Sequence, residues 1–204
     1  DPTSTMGMHL ELKGASTLLE YSGSSVQLLT GDSVFLDNQA TWKELNTVLW
    51  QNAGVVFHQG NSLFQTGNSI LNGNGIYQFS HVTIPTGKSL NHISPLLLSV
   101  SGNLDVLGSF SHNSNKLALN GMKHQTVHTA SGNLNLFDIQ VNNAANGPAD
   151  GGYGIDLQSS LTISNQLELT DGIIVSAASS VVKLADNATL TGGSDSTFIT
   201  GYVE

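Results

Sequence analysis

Residues 98–106, "LSVSGNLDV", and residues 161–169, "LTISNQLEL", share one pattern of apolar side chains. In both stretches Leu, Val or Ile occupies the first, third, seventh and ninth positions, and small or polar residues fill the others. Alternation with a period of two is typical of β-strands that bury one face. The pattern therefore predicts pairs of very short strands, repeated at an offset of 63 residues, which we expect to span three coils of a solenoid.

Short alternating segments separated by turn residues occur along most of the chain. A three-residue strand cannot hold its hydrogen-bond ladder alone, but stacked coils pair each strand with the coils above and below. We predict a right-handed parallel β-helix of nine or ten coils, each of about 18–24 residues. The alternative is a β-sandwich adhesin domain. The predicted coils begin near Ser25, Asn46, Asn61, Ile76, Leu96, Leu117, Leu134, Ile155 and Val181.

A second pair of similar segments indicates an insertion. Residues 79–84, "FSHVTI", match residues 136–141, "LFDIQV", at an offset of 57, six fewer than the first pair. We therefore predict one domain over residues 1–204 with an inserted loop over 142–156.

A near match to a calcium-binding repeat begins inside the inserted loop. Residues 151–159, "GGYGIDLQS", nearly fit the nonapeptide G-G-x-G-x-D-x-U-x, which binds calcium when it occurs in tandem. Here it occurs once, and Gln158 stands where an apolar residue belongs. We interpret it as a loop with Tyr153 at its tip; the alternative is a calcium ion held by Asp150, Asp156 or Asp171.

The charge of the chain restricts its partners. The 204 residues include six lysines, no arginine, 19 asparagines and 22 glycines, and the net charge is −9. Without a basic patch, binding to nucleic acid or to an anionic membrane surface is not expected. There is no cysteine, and no apolar run is long enough to cross a bilayer. This composition is typical of secreted or cell-surface proteins.

The sequence shows no catalytic motif, cofactor motif or metal-ligand cluster that we would assign. Asp105 and Glu168 occupy matching positions and are predicted to lie on one face, about 14 Å apart, as solvated residues. The histidines, including His58, His92 and His112, are predicted to be exposed or at corners. Exposed aromatic rings commonly contact ligands, which makes Tyr153 and Trp42 the candidate partner residues.

Residues 161–203 resemble a known kind of protein. Leu161–Leu169, Gly172, Leu184, Ala188, Gly192–Gly193 and Tyr202 follow a pattern found in repeat-rich β-solenoid, adhesin-like regions of large secreted surface proteins of Bacteroidetes-type bacteria. A looser match runs back through residues 124–143. The resemblance implies a surface-exposed stalk or adhesin-like region of a longer chain, and it assigns no catalytic residues.

We therefore expect a non-catalytic extracellular module that serves as a stalk, attachment surface or fibre subunit. It would stack end to end with neighbouring domains or with further copies of itself. A polysaccharide or a cell surface would be its other partner. The alternative is a carbohydrate-active enzyme or carbohydrate-binding domain with a pectin-lyase-like β-helix.

Overall fold

The computed structural model describes residues 7–14, 17–37 and 39–204, which form β-strands joined by tight corners. Strands are numbered in chain order. Sheet A contains β1 (His9–Leu12), β4 (Ser33–Leu36), β7 (Val55–His58), β10 (Ile76–Phe79), β13 (Leu98–Val100), β16 (Lys116–Leu119), β18 (Asn133–Asn142), β22 (Ser160–Asp171), β24 (Val182–Leu184) and β25 (Thr189–Gly192). Sheet B contains β2 (Leu18–Tyr21), β5 (Thr41–Glu44), β8 (Leu63–Gln65), β11 (His81–Ile84), β14 (Leu104–Val106), β17 (Gln125–Thr129), β21 (Ile155–Leu157), β23 (Ile173–Val175) and β26 (Phe198–Thr200). Sheet C contains β3 (Ser25–Leu28), β6 (Thr47–Asn52), β9 (Asn68–Gly73), β12 (Ser89–His92) and β15 (Ser109–Ser111). A small separate hairpin is made by β19 (Asn146–Gly147) and β20 (Gly152–Tyr153), with a 3₁₀ turn, η1 (Pro148–Asp150), between them.

Every pairing between strands within sheets A, B and C is parallel, and each strand pairs with the equivalent strand of the next turn. Tyr77 pairs with Leu98, and Leu98 pairs with Leu117, so one turn takes about 20 residues here. The fold is thus a β-solenoid of about nine turns, as the sequence predicts. The sandwich alternative is wrong, because sandwich sheets are built from antiparallel pairs.

The predicted coil starts fall at strand starts, but on different faces. Ile76, Leu96, Leu117, Leu134 and Val181 lie within two residues of the start of a sheet A strand, Ser25 and Asn46 mark sheet C, and Asn61 and Ile155 mark sheet B. Apolar alternation locates strands, but it carries no information about which face of the solenoid a strand joins.

The repeat alignment that suggested the fold is wrong in detail. Residues 98–100 and 104–106 lie in sheets A and B, on either side of a corner. Residues 161–169 instead lie in the single long strand β22, which pairs with β18 across a register shift between Leu136 and Asp138. As a result Leu98 shares its inward column with Leu167, through Leu117 and Ile139.

Aromatic rings fill the interior of the early turns. The rings of Trp42 and Trp50 lie 5.2 Å apart, and those of Phe64 and Phe79 stack at 4.5 Å. Trp42 is only 3% exposed, so the prediction that it offers a ring to a partner is wrong. Its place in the strand explains this, because Trp42 alternates with outward-facing Thr41 and Lys43 in β5.

A buried carboxyl group lies beside these rings. Glu44 is 3% exposed, and its carboxyl oxygens accept hydrogen bonds from Trp50 Nε1 (2.8 Å), the Gly67 backbone N–H (3.3 Å) and the Ser69 hydroxyl. Burial raises the pKa of Glu44, and these donors oppose that shift. The donors explain how an acidic side chain is accommodated inside the stack.

Three histidines also face inward, which corrects the prediction of exposed positions. His58, His92 and His112 are 1%, 0% and 3% exposed. Side chains two positions apart in a strand lie on the same face. Each of these histidines follows, at that distance, an apolar residue that is buried or half buried, so it also faces inward. Burial lowers the pKa of His58 to about 3 and that of His92 to about 4, so both are neutral inside the fold.

Acid should therefore destabilise the fold through these histidines. The unfolded chain takes up protons near pH 6.5, whereas folded His58 and His92 do so only near pH 3 and pH 4. The contribution of these two neutral histidines to the free energy of unfolding is therefore present above pH 6.5 and is lost as the pH falls. The loss is about 1.4 kcal/mol per pH unit for each histidine that is protonated only in the unfolded chain. Urea unfolding measured from pH 7 downwards should show a shallower loss for His58→Phe than for the unmodified chain.

The matched control is His9→Phe, because His9 is exposed at the first strand. Because the imidazole of His9 is not buried, this variant separates the loss of a buried histidine from the loss of a histidine in general. If His58→Phe and the unmodified chain lose stability with the same slope, the buried neutral state of His58 is contradicted.

Candidate functional site

The outward face of sheet B carries two columns of side chains that run along the solenoid. Column one, from turn to turn, contains Leu18, Thr41, Leu63, His81, Asn103, Thr126, Asp156, Val175 and Thr200. Column two contains Glu20, Lys43, Gln65, Thr83, Asp105, His128 and Gln158. Successive members lie on adjacent parallel strands, which are about 4.8 Å apart; Asn103 and Gln158 each lie one residue beyond the end of a strand and extend its register.

A hollow of about 490 Å³, here called the sheet-B groove, lies over the middle of both columns. Its lining includes His81, Asn103 and Thr126 of column one and Thr83, Asp105 and His128 of column two. A second hollow of about 410 Å³, the corner hollow, adjoins it between sheets A and B and shares Asn61, His81 and Asn103. Because they share lining residues, the two hollows form one continuous concave area.

Backbone groups of adjacent turns orient two side chains in the groove. The backbone N–H of Asn103 donates to Nδ1 of His81 at 2.9 Å, so the ring proton of neutral His81 resides on Nε2. Burial lowers the pKa of His81, which favours this neutral form. The side-chain oxygen of Asn103 in turn accepts from the backbone N–H of Thr126 at 3.0 Å, which leaves the amide NH₂ group to donate elsewhere.

Asp105 and His128 form a hydrogen-bonded pair at the other side of the groove. Nδ1 of His128 lies 2.7 Å from Oδ1 of Asp105, and the two side chains are 39% and 36% exposed. Such a carboxylate fixes the ring orientation of a histidine and leaves Nε2 for other contacts. The separation of 23 residues, one turn, was the signal in the sequence that could have identified this pair.

The predicted neighbour of Asp105 lies elsewhere. Glu168 is on sheet A, not on sheet B with Asp105, so the prediction that both share a face is wrong. Its carboxylate binds Lys116 at 2.9 Å, across the intervening strand β18, and this contact lowers the pKa of Glu168. The prediction is wrong because it equates residues 98–106, which turn a corner, with residues 161–169, which lie in one continuous strand.

The predicted loop region contains the hairpin of β19 and β20. The turn that contains it is longer than others. Ile139 pairs with Leu167, 28 residues later in the chain, whereas Leu98 pairs with Leu117, only 19 residues later. Asp150 braces the hairpin, because its carboxylate accepts from Lys123 Nζ at 2.8 Å and from the Asn146 backbone N–H at 3.1 Å. The Lys123 contact lowers the pKa of Asp150.

The candidate calcium ligands lie on different elements. Asp150 is in η1, Asp156 faces outward from β21 and Asp171 ends β22. Within residues 7–14, 17–37 and 39–204, no three His, Cys, Asp or Glu side chains are grouped so that they could hold a metal ion. Tyr153 is 51% exposed and lies in β20 beside Gly147, not at the tip of the hairpin, which η1 forms. The preceding residue, Gly152, lies beside His124, which lines the corner hollow.

Neither the groove nor the fold could be assigned by comparison with known proteins. The chain matches no protein-family model, and searches of curated proteins and of solved structures gave no match. In the part of the chain that the structure describes, no helix has the length and apolarity needed to cross a bilayer.

Close stacking at Gly154 should make this position intolerant of substitution. A Cβ atom there would lie 1.9 Å from the carbonyl oxygen of Ile173 in the next turn, and φ is +53°. At Gly132, φ is +77° and a Cβ would meet nothing within 4 Å. Both alanine variants share the backbone strain, so Gly154→Ala should lose about 1–3 kcal/mol more in denaturant unfolding than Gly132→Ala. Equal losses would contradict the close approach of the two turns.

Proposed function

We propose that this chain is a non-catalytic β-solenoid module of a secreted or cell-surface protein, acting as a stalk or adhesin-like segment that stacks end to end with a further solenoid turn. The partner turn belongs either to a neighbouring domain or to a second copy of the chain. One observation supports this proposal above the others: the inward columns remain apolar in the outermost described turns, where no described residue covers them.

The turn formed by residues 182–204 shows this most clearly. Leu190 pairs with Leu167 and Val203 pairs with Val182, so both continue inward columns. Leu167 and Val182 are 0% exposed, but Leu190 and Val203 are each 50% exposed. A further turn stacked here would bury these side chains, and burial of apolar area is the main favourable term in association.

Apolar side chains of the inward columns are also partly exposed at the N-terminal end of the described solenoid. Leu10 and Leu12 pair with Val34 and Leu36, which are 1% and 0% exposed, but are themselves only half buried. Strands at both ends also present backbone groups that another parallel strand could pair with. The two ends are therefore complementary in kind: each offers an apolar interior and a strand edge.

The surface composition fits an extended module outside the cell. Charged residues are 10% of the chain, and asparagines serve as corner residues. Asn52 and Asn143 are buried and bond backbone groups at corners, while Asn113 and Asn187 take left-handed backbone conformations. These asparagines support the stack itself.

Concentration-dependent association tests the proposal. Light scattering coupled to gel filtration, with negative-stain microscopy, should show rods that lengthen by whole modules as the protein concentration rises. Leu190→Lys should abolish this association, because it places a charge where the next turn would bury it. The fold should persist, since the side chain is already half exposed.

Thr191→Lys is the matched control, because Thr191 follows Leu190 in β25 but faces outward and pairs with Glu168. This variant should associate like the unmodified chain. A chain that stays monomeric at every concentration, or a Leu190→Lys variant that still associates, contradicts stacking between copies of the chain through this turn.

A further inference from the structure

We propose that the sheet-B groove binds an uncharged polyhydroxylated chain, of the chemical class of neutral polysaccharides. This inference goes beyond the stacking function and does not depend on it. It rests on the orientation of the polar groups in the groove, on their spacing and on the scarcity of positive charge around them.

The donors in the groove are oriented before any ligand arrives. The hydrogen bonds from Asn103 N–H to His81 and from Thr126 N–H to Asn103 hold two side chains of column one. They leave the Nε2–H of His81 and the NH₂ of Asn103 as donors. Because both side chains are held by strands of a rigid stack, little conformational entropy is lost when they bind a ligand.

Acceptors lie on the same face. Asp105 is two residues from Asn103, about 7 Å along the strand, and only its Oδ1 is occupied by His128. The groove thus places hydrogen-bond donors beside a carboxylate acceptor. The hydroxyl groups of a ligand match this arrangement, because each can both donate and accept. The repetition of polar side chains at about 4.8 Å suits a polymer with regularly spaced hydroxyl groups.

The charge of the groove selects against acidic chains. Among the described residues that line the groove there is no lysine, and the chain has no arginine. Lys123, which lines the corner hollow, binds Asp150 at 2.8 Å. With Asp105 in the groove and a net charge of −9, a polyanion would be repelled.

The corner hollow adds an apolar face. Phe57 lines this hollow and stacks on Phe35, with ring centroids 5.5 Å apart and an angle of 11° between the rings. Both rings are half buried on the outward face of sheet A. A sugar ring that extends out of the groove can pack its C–H groups against such a ring.

Binding measurements with defined polysaccharides test this proposal. Laminarin, galactomannan and arabinoxylan serve as neutral probes, and polygalacturonate and alginate as acidic probes, in calorimetry and affinity electrophoresis. Asn103→Asp keeps the oxygen that accepts from Thr126 but removes the amide donors. It should weaken binding of a neutral probe by about tenfold or more, because a hydroxyl is left without its partner.

Asn91→Asp is the matched control, because it adds the same charge on sheet C and keeps the oxygen that accepts from Asn113 at 3.0 Å. It should change binding by less than about twofold, as expected for a distant surface substitution. All measurements are repeated in the Leu190→Lys background, so that loss of stacking and loss of binding are distinguished. The proposal is overturned if no neutral probe binds, if acidic probes bind as tightly, or if both aspartate variants act equally.

Discussion

The backbone ladder between successive turns is the interaction on which the whole structure depends. Most strands have only three or four residues, and no strand of that length is stable by itself. Stacking stabilises such strands in two ways. It pairs their backbone groups with those of the adjacent turns, and it brings their apolar side chains into continuous inward columns. The corners must then fit closely one above another, which is why a Cβ at Gly67 would lie 2.2 Å from the carbonyl oxygen of Asn46.

The same ladder creates the groove. A side chain on one turn lies beside its counterpart on the next, so a backbone N–H can orient the side chain of a neighbouring turn, as Asn103 orients His81. This arrangement needs no loop to be folded around a ligand. The ends, which we propose stack, and the groove on one lateral face occupy different parts of the molecule, so a rod stacked end to end would keep this lateral face accessible.

The sequence predicted the architecture because the period of two and the repeat length are physical consequences of the fold. It failed where information from three dimensions was needed. Alternation alone could not show that residues 98–106 turn a corner whereas residues 161–169 do not. The expectation that Trp42 and His58 lie outside is wrong for a different reason: the alternation of their own strands already places them inside. Asp105 and His128 could have been paired from their separation of one turn, but only with the correct register.

A distance between two spin labels tests the order of the turns along the axis most directly. The chain has no cysteine, so Glu20→Cys and Gln158→Cys can be labelled specifically at two ends of column two. Six strand spacings separate them, which predicts a narrow distribution centred near 29 Å, widened only by the label tethers. A distance well below about 20 Å, as expected if the two segments lay within one compact sandwich about 10 Å thick, would contradict the stacked arrangement.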